Sequence, residues 1–208
     1  RRQRQMCIRD RNMVYSLGFN PTMKVSMGIA LPLFAQSEGE LVDIEIYDNL
    51  NEEEIKEVIN PNLPQGAEIT AVKRIERYAK AVDIEAQWAE YRITPYYKSN
   101  ENSLYNFEKF RYDVDKVLSS NEILITKKNK KGLIKKTDIK QSIKSYRFED
   151  DSLFIVLKTG QSAINRDNGT VEAGIPALRA DMLMNLIAPD VSFNIKRTRF
   201  FDEDLTEL

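Results

Sequence analysis

The sequence predicts an α+β fold of two tandem ferredoxin-like (βαββαβ) units, the first lacking its opening strand and helix. Three observations carry this. The chain has 208 residues, enough for one large or two small domains. Its second half reads strand, helix, strands, helix, strand, the order of a ferredoxin-like unit. Its first half reads strand, strand, helix, strand, the last four elements of the same order. The expected boundaries are residues 12–78 for the truncated first unit, 79–87 for a linker, 88–201 for the second unit and 202–208 for a frayed acidic tail.

Residues 1–11 stand outside this scheme. Gln5-Met6-Cys7-Ile8-Arg9-Asp10-Arg11 resembles a translated transposase mosaic-end adapter from sequencing libraries, so 1–11 is expected to be an adapter remnant. The alternative is a basic arm for nucleic acid. On the first reading the natural sequence upstream of Asn12 is missing, and with it the first strand and helix. No apolar h-region follows the charges, so the segment is not a signal peptide.

The elements follow in order. Gly18, Asn20 and Pro21 mark a turn. Val25, Met27 and Ile29 then alternate with Lys24, Ser26 and Gly28 at strand period. Ser37 to Glu40 makes a second turn, and Val42, Ile44 and Ile46 alternate as a half-buried strand. Asn51 with Glu54 forms a capping box, and Leu50 with Ile55 a hydrophobic staple. Glu52, Glu53 and Glu54 suit the positive end of the helix dipole. Pro61 and Pro64 stop the helix, and a strand is expected over 68–75.

In the second half a strand runs over 88–96, with Ala89, Tyr91 and Ile93 on one face. Leu104, Phe107, Phe110, Val114, Val117 and Leu118 recur at helical spacing. Strands follow at 122–128 and 133–139, then a hairpin of 143–148 and 152–159 around Glu149-Asp150-Asp151. Residues 161–174 read as a polar loop. Pro176 suits the first turn of a helix that Pro189 ends. The last strand covers 191–201.

Composition excludes whole classes of chemistry. There is no His, and the one Cys falls in the adapter-like segment. His acid/base catalysis, His- or Cys-ligated zinc and cysteine-held iron–sulfur clusters are therefore excluded within this chain. No metal or other cofactor is expected. No phosphate-binding glycine loop is present. Ser16, Ser26 or Ser37 could serve as nucleophiles only with a Lys or carboxylate base, and no spacing favours that. The acids of 52–57 are explained by capping, and no catalytic residue is assigned. No apolar run approaches the roughly 20 residues of a membrane span, so a cytoplasmic protein without membrane contact is expected.

Two segments are candidate binding sites. From Lys127 to Arg147 there are nine basic residues and one acid, net +8, whereas 38–57 carries net −8. The hairpin lysines Lys127, Lys128, Lys130, Lys131, Lys135 and Lys136 read as a solvated edge that discourages strand pairing, as a phosphate-contacting surface for RNA, or as a dock for an acidic protein. No aromatic RNP1 sequence supports RNA. Trp88, Tyr91, Tyr96 and Tyr97 read as core and rim aromatics rather than a stacking platform. The second segment is the turn Tyr15 to Lys24. Ser16, Gly18, Phe19, Asn20, Pro21 and Lys24 form either a structural entry into the strand or a contact for a partner or substrate.

The stretch YSLGFNPTMKVSMGIALPLFAQSEGELVDIEI resembles the opening motif of the radical-SAM-linked protein family, a domain of unknown function fused to or encoded beside B12-binding radical SAM proteins. Tyr15, Ser16, Gly18, Phe19, Asn20, Pro21 and Lys24 match its first turn, with Met23 in place of the usual Pro. Ala30 to Leu33, Ser37 to Glu40 and Asp43 match the next block. Ala89-Glu90-Tyr91, Lys136 to Ile139 and Arg197-Thr198 follow in the family's order. The resemblance covers 12 to about 201. It implies a non-catalytic auxiliary or substrate-presenting role beside a radical SAM protein, in RNA or ribosome-linked modification. The alternative is a free-standing RNA-binding protein using the Lys-rich hairpin.

Overall fold

A computed structural model describes residues 14–47, 49–76, 78–96, 105–128, 134–160 and 174–208. Among them it is a mixed α/β protein with nine strands in three sheets and four α-helices. The chain divides into two units, Arg1–Met27 with Val42–Val82, and Gly28–Leu41 with Asp83–Leu208. Residues 28–41, which the sequence assigns to the first unit, thus belong to the second.

In the first unit, strands β1 (Val25–Met27) and β3 (Val42–Ile44) pair antiparallel, Val25 opposite Ile44 and Met27 opposite Val42. Helix α1 (Glu52–Ile59) starts where the capping box places it: Asn51 Oδ1 accepts from the Glu54 N–H at 3.0 Å, and Glu54 Oε2 accepts from the Asn51 N–H at 2.7 Å. A 3-10 turn at Asn60–Asn62 carries Pro61 and ends it. The strand expected over 68–75 does not form. The backbone of Ile69 is satisfied instead by one side chain, its N–H donating to Asn60 Oδ1 (2.8 Å) and its carbonyl accepting from Asn60 Nδ2 (3.2 Å). Short helix α2 (Val82–Glu85) stands at the unit boundary, in the expected linker.

The second unit is a five-stranded sheet. Its strands are β2 (Ala35–Ser37), β4 (Trp88–Tyr96), β7 (Ile143–Glu149), β8 (Ser152–Lys158) and β9 (Ser192–Phe201), in the order β2-β9-β4-β8-β7. The four long strands are antiparallel to their neighbours, and β2 adds parallel to β9. Asp150 and Asp151, both at positive φ (45° and 56°), make the two-residue turn between β7 and β8. Helices α3 (Phe107–Leu118) and α4 (Ala180–Ile187) cover one face. Ala89, Tyr91 and Ile93 are buried there with Phe110, Val114 and Leu183. Burying one such large apolar side chain stabilises by about 1.5–3 kcal/mol. The alternate residues Trp88, Glu90, Arg92 and Thr94 form the sheet's second face.

Three boundaries shift for visible reasons. Helix α3 begins at Phe107 because Asn106 Oδ1 caps the Lys109 N–H at 2.9 Å; Leu104 lies outside the described residues. Helix α4 begins at Ala180 rather than near Pro176. The Pro176 carbonyl accepts from Ser142 Oγ (2.7 Å) and the Leu178 N–H donates to the Lys158 carbonyl (2.8 Å), so this stretch extends from the end of β8. The tail expected to fray is folded back: Phe201 bridges Glu207, and the Leu208 N–H donates to the Phe200 carbonyl at 3.2 Å.

Strands β5 (Leu124–Lys128) and β6 (Ile134–Asp138) form a separate hairpin between α3 and β7.

Candidate functional site

The turn of residues 15–24 is a closed loop with an apolar tip. Tyr15 bridges Met23, and the Ser16 N–H donates to the Thr22 carbonyl at 2.8 Å. Ser16 Oγ accepts from the Thr22 N–H (3.0 Å) and lies 3.1 Å from Thr22 Oγ1. Lys24 pairs with Glu45 at 2.8 Å. Gly18, at φ 156°, takes the conformation only glycine adopts freely; Asn20 keeps a negative φ. Between these fixed ends Leu17 and Phe19 are fully bare, at 104% and 102% exposure. Ser16 and Lys24 are therefore fasteners of the turn, and its bare surface comes from Leu17, Gly18, Phe19, Asn20, Pro21 and Thr22.

The lysine hairpin keeps the expected pairing. Lys127 stands directly opposite Lys135, Thr126 opposite Lys136 and Lys128 opposite Ile134. Lys136 is exposed; Lys130 and Lys131, like Tyr97, lie outside the described residues. The hairpin is tied down at its root. Asp138 Oδ1 accepts from the Ile123 and Lys140 N–H groups, both at 2.9 Å. These backbone donors hold the Asp138 carboxyl below the ordinary aspartate range. The Lys140 ammonium donates to the Leu118 carbonyl at the end of α3. The two candidate segments fall in different units.

Three arrangements in the second unit were not read from the sequence. The first joins Ser37-Glu38-Gly39-Glu40 to Lys196-Arg197-Thr198. Arg197 is fully buried and donates to Glu40 through Nε (2.9 Å) and Nη2 (2.7 Å to Oε2), and to the Ile29 carbonyl (2.9 Å). Glu38 pairs with Lys196 at 2.6 Å, which holds its carboxyl below the usual range. A Cβ on Gly39 would lie 2.6 Å from the Thr198 carbonyl oxygen, so only glycine fits. Within the same excursion Phe34 sits at φ 67° in a turn closed by the Ala35 N–H and the Pro32 carbonyl. Such a backbone is strained for an aromatic residue. Both halves of the clasp were visible as motifs; their mutual grip was not.

The second is a carboxylate on the sheet's second face. Glu90 is 4% exposed and accepts from Arg147 Nη1 (2.6 Å) and Thr198 Oγ1 (2.9 Å), with Arg199 Nε at 3.3 Å. Arg147 also lies 4.4 Å from the centroid of Phe154.

The third is Trp88, whose ring has the ammonium of Lys158 at 4.8 Å and that of Lys144 at 5.5 Å from its centroid. Lys158 is 1% exposed, and burial pushes its ammonium below the ordinary lysine range. Trp88 reads as a core aromatic in the sequence; the structure puts it on the face away from the helices, flanked by cations. Tyr91 is a core residue, as expected, its phenol pushed up by burial.

The described residues hold no group of three or more acidic, His or Cys side chains placed to ligate a metal, and no helix among them is long and apolar enough to cross a membrane. Residues 3–170 match the family described as an uncharacterized protein conserved in bacteria (DUF2344). The chain belongs to this family. The DUF2344 match takes in the 15–24 turn, the lysine hairpin and Glu40, and begins within the adapter-like segment 1–11; Arg197 lies past its end. The description of DUF2344 names no activity. No curated protein and no solved structure matches the chain.

Proposed function

We propose that this chain is a non-catalytic binding subunit that docks a radical SAM enzyme through the 15–24 turn and presents or positions that enzyme's substrate. The observation that carries the reading is the bare pair Leu17 and Phe19 on a loop whose two ends are fastened. Large apolar side chains on a preorganised loop bind with little ordering cost, and an aromatic anchor entering a partner's pocket is the usual form of an interface hot spot. The radical SAM identity of the partner rests on the resemblance of the Tyr15–Asp43 motif, and an RNA or ribosome-linked substrate on that same resemblance. A cytoplasmic location is part of the proposal. So is a ferredoxin-like reading of the second unit, supported by the order β4-α3-β7-β8-α4-β9 with sheet order β9-β4-β8-β7.

Co-expression with a radical SAM protein and affinity capture tests the docking. The parent chain retains the enzyme, and a Leu17→Ser/Phe19→Ser variant loses it. Retention by that variant, or no retention by the parent, overturns the proposal.

A second reading has one observation in its favour. Lys127 and Lys135 occupy directly opposed register positions in the hairpin ladder, where like charges repel. A phosphate backbone would relieve that repulsion, so we also propose RNA as the alternative partner of the hairpin.

A further inference from the structure

We propose that Lys144, Lys158 and the indole N–H of Trp88 form a binding site for a small oxyanion, a phosphate or a carboxylate. The site is independent of the turn and of the hairpin. Trp88 and Lys158 are directly opposed on neighbouring strands β4 and β8, and Lys144 comes from the start of β7. Both ammoniums stand within reach of one indole, at 4.8 and 5.5 Å from its centroid.

Three features of this cluster suit an anionic ligand. The Trp88 Nε1–H is buried and has no acceptor; a sealed donor without a partner is costly and uncommon. Two cations share one ring, and Lys144 adds to the lowering that burial imposes on the Lys158 ammonium. The acid paired with Lys158 among the described residues, Glu203, is 76% exposed and 3.8 Å away, at the outer limit of an ion pair. A carboxylate so exposed and so distant offsets little of the cost of burying the Lys158 ammonium. A bound oxyanion would give both ammoniums charge-assisted partners and supply the acceptor that the indole lacks. Lys144 is exposed and marks the entry side.

Trp88 is the chain's only tryptophan, so its emission reports this site alone. Full-length protein is titrated with inorganic phosphate and separately with acetate, each against chloride at matched ionic strength. The expected result is a saturable change in indole emission with phosphate, acetate or both, absent with chloride. Saturation by phosphate alone assigns the site to phosphate, and by acetate alone to carboxylate. Lys144→Gln, at an exposed position, weakens binding about tenfold or more. Lys158→Met abolishes it, and where that variant fails to fold Lys144→Gln decides. The same response to chloride as to both oxyanions, or unchanged binding by Lys144→Gln, overturns the site.

Discussion

Arg197 grips Glu40 across 157 residues of chain, with Nε at 2.9 Å and Nη2 at 2.7 Å from the carboxylate oxygens. The guanidinium is fully buried while Glu40 keeps 40% of its side chain exposed. The same guanidinium stacks 4.5 Å from the centroid of Phe200 and holds the Ile29 carbonyl. One side chain thus anchors both ends of the 28–41 excursion onto β9.

Removing either partner should therefore cost more than a surface pair would. Glu40→Ala leaves a buried guanidinium without its counterion, a loss of about 3–5 kcal/mol against a typical domain total of about 5–15. Urea unfolding of the second unit should show the fall in midpoint, and exchange of the Glu38 N–H, which bonds the Arg197 carbonyl at 2.9 Å, should rise with it. An effect under about 1 kcal/mol, the size of an exposed pair, would mean that the clasp is ornamental.

The first unit should open before the second. Its sheet residues Val25, Met27, Val42 and Ile44 are each more than a third exposed, and α1 buries no residue. The second unit has over twenty buried apolar side chains around α3 and α4. Local opening free energy follows such burial. Hydrogen exchange should release the β1–β3 amides well ahead of those in β4 and β8; equal protection would contradict this.

Much of this architecture is legible in the residues, and the failures have physical causes. Asn51 with Glu54, and the Phe110, Val114, Leu118 stripe, are local signals that tertiary contacts left intact. Strand β4 was readable because Ala89, Tyr91 and Ile93 alternate. The expected strand at 68–75 failed because Asn60, nine residues away, takes the backbone of Ile69. Strand β2 was missed because Ala35–Ser37 has no apolar alternation, and its partner β9 lies about 160 residues on. Leu17 and Phe19 stand inside a turn that was singled out, yet Ser16 and Lys24 turned out to be its fasteners. The Trp88 cluster was invisible because β4 reads apolar on both faces at its start, and only register brings Lys158 beside it.

Asp138 gives the hairpin root a defined pH dependence. Its carboxyl is held below the ordinary value by the Lys140 and Ile123 N–H groups. A group depressed in the folded state stabilises above its unfolded pKa, about 3.9, and that contribution fades as pH falls through the folded value. Exchange at the Ile123 and Lys140 amides should therefore accelerate, beyond the intrinsic trend, only below about pH 4. Asp138→Asn should open the root at neutral pH and remove this acid step. Persistence of the step in the variant would place it on another carboxylate.

The lysine ladder separates its three readings by salt. Lys127 and Lys135 occupy directly opposed positions, an arrangement that disfavours pairing, and the repulsion is screened over a Debye length of about 10 Å at 0.1 M salt. If the hairpin is only a solvated edge, Lys135→Gln should protect the β5–β6 amides at low salt and make no difference at high salt, with RNA binding negligible before and after. If RNA phosphates neutralise the lysines, binding should weaken with a slope of about −0.7 in log K per log salt for each single-strand contact. Changing Lys128, Lys130, Lys131 and Lys135 together to Gln should then flatten that slope by about two or more units while the second unit's unfolding midpoint holds, since the strand core lies elsewhere. If an acidic protein surface is the partner, the fourfold variant should lose the captured protein and show no change in RNA binding. Loss of the protein is the expected outcome, because no aromatic accompanies the lysines in the ladder positions of β5 and β6. RNA binding that ignores salt, or capture unaffected by all four substitutions, would leave the ladder as an edge that guards against strand pairing.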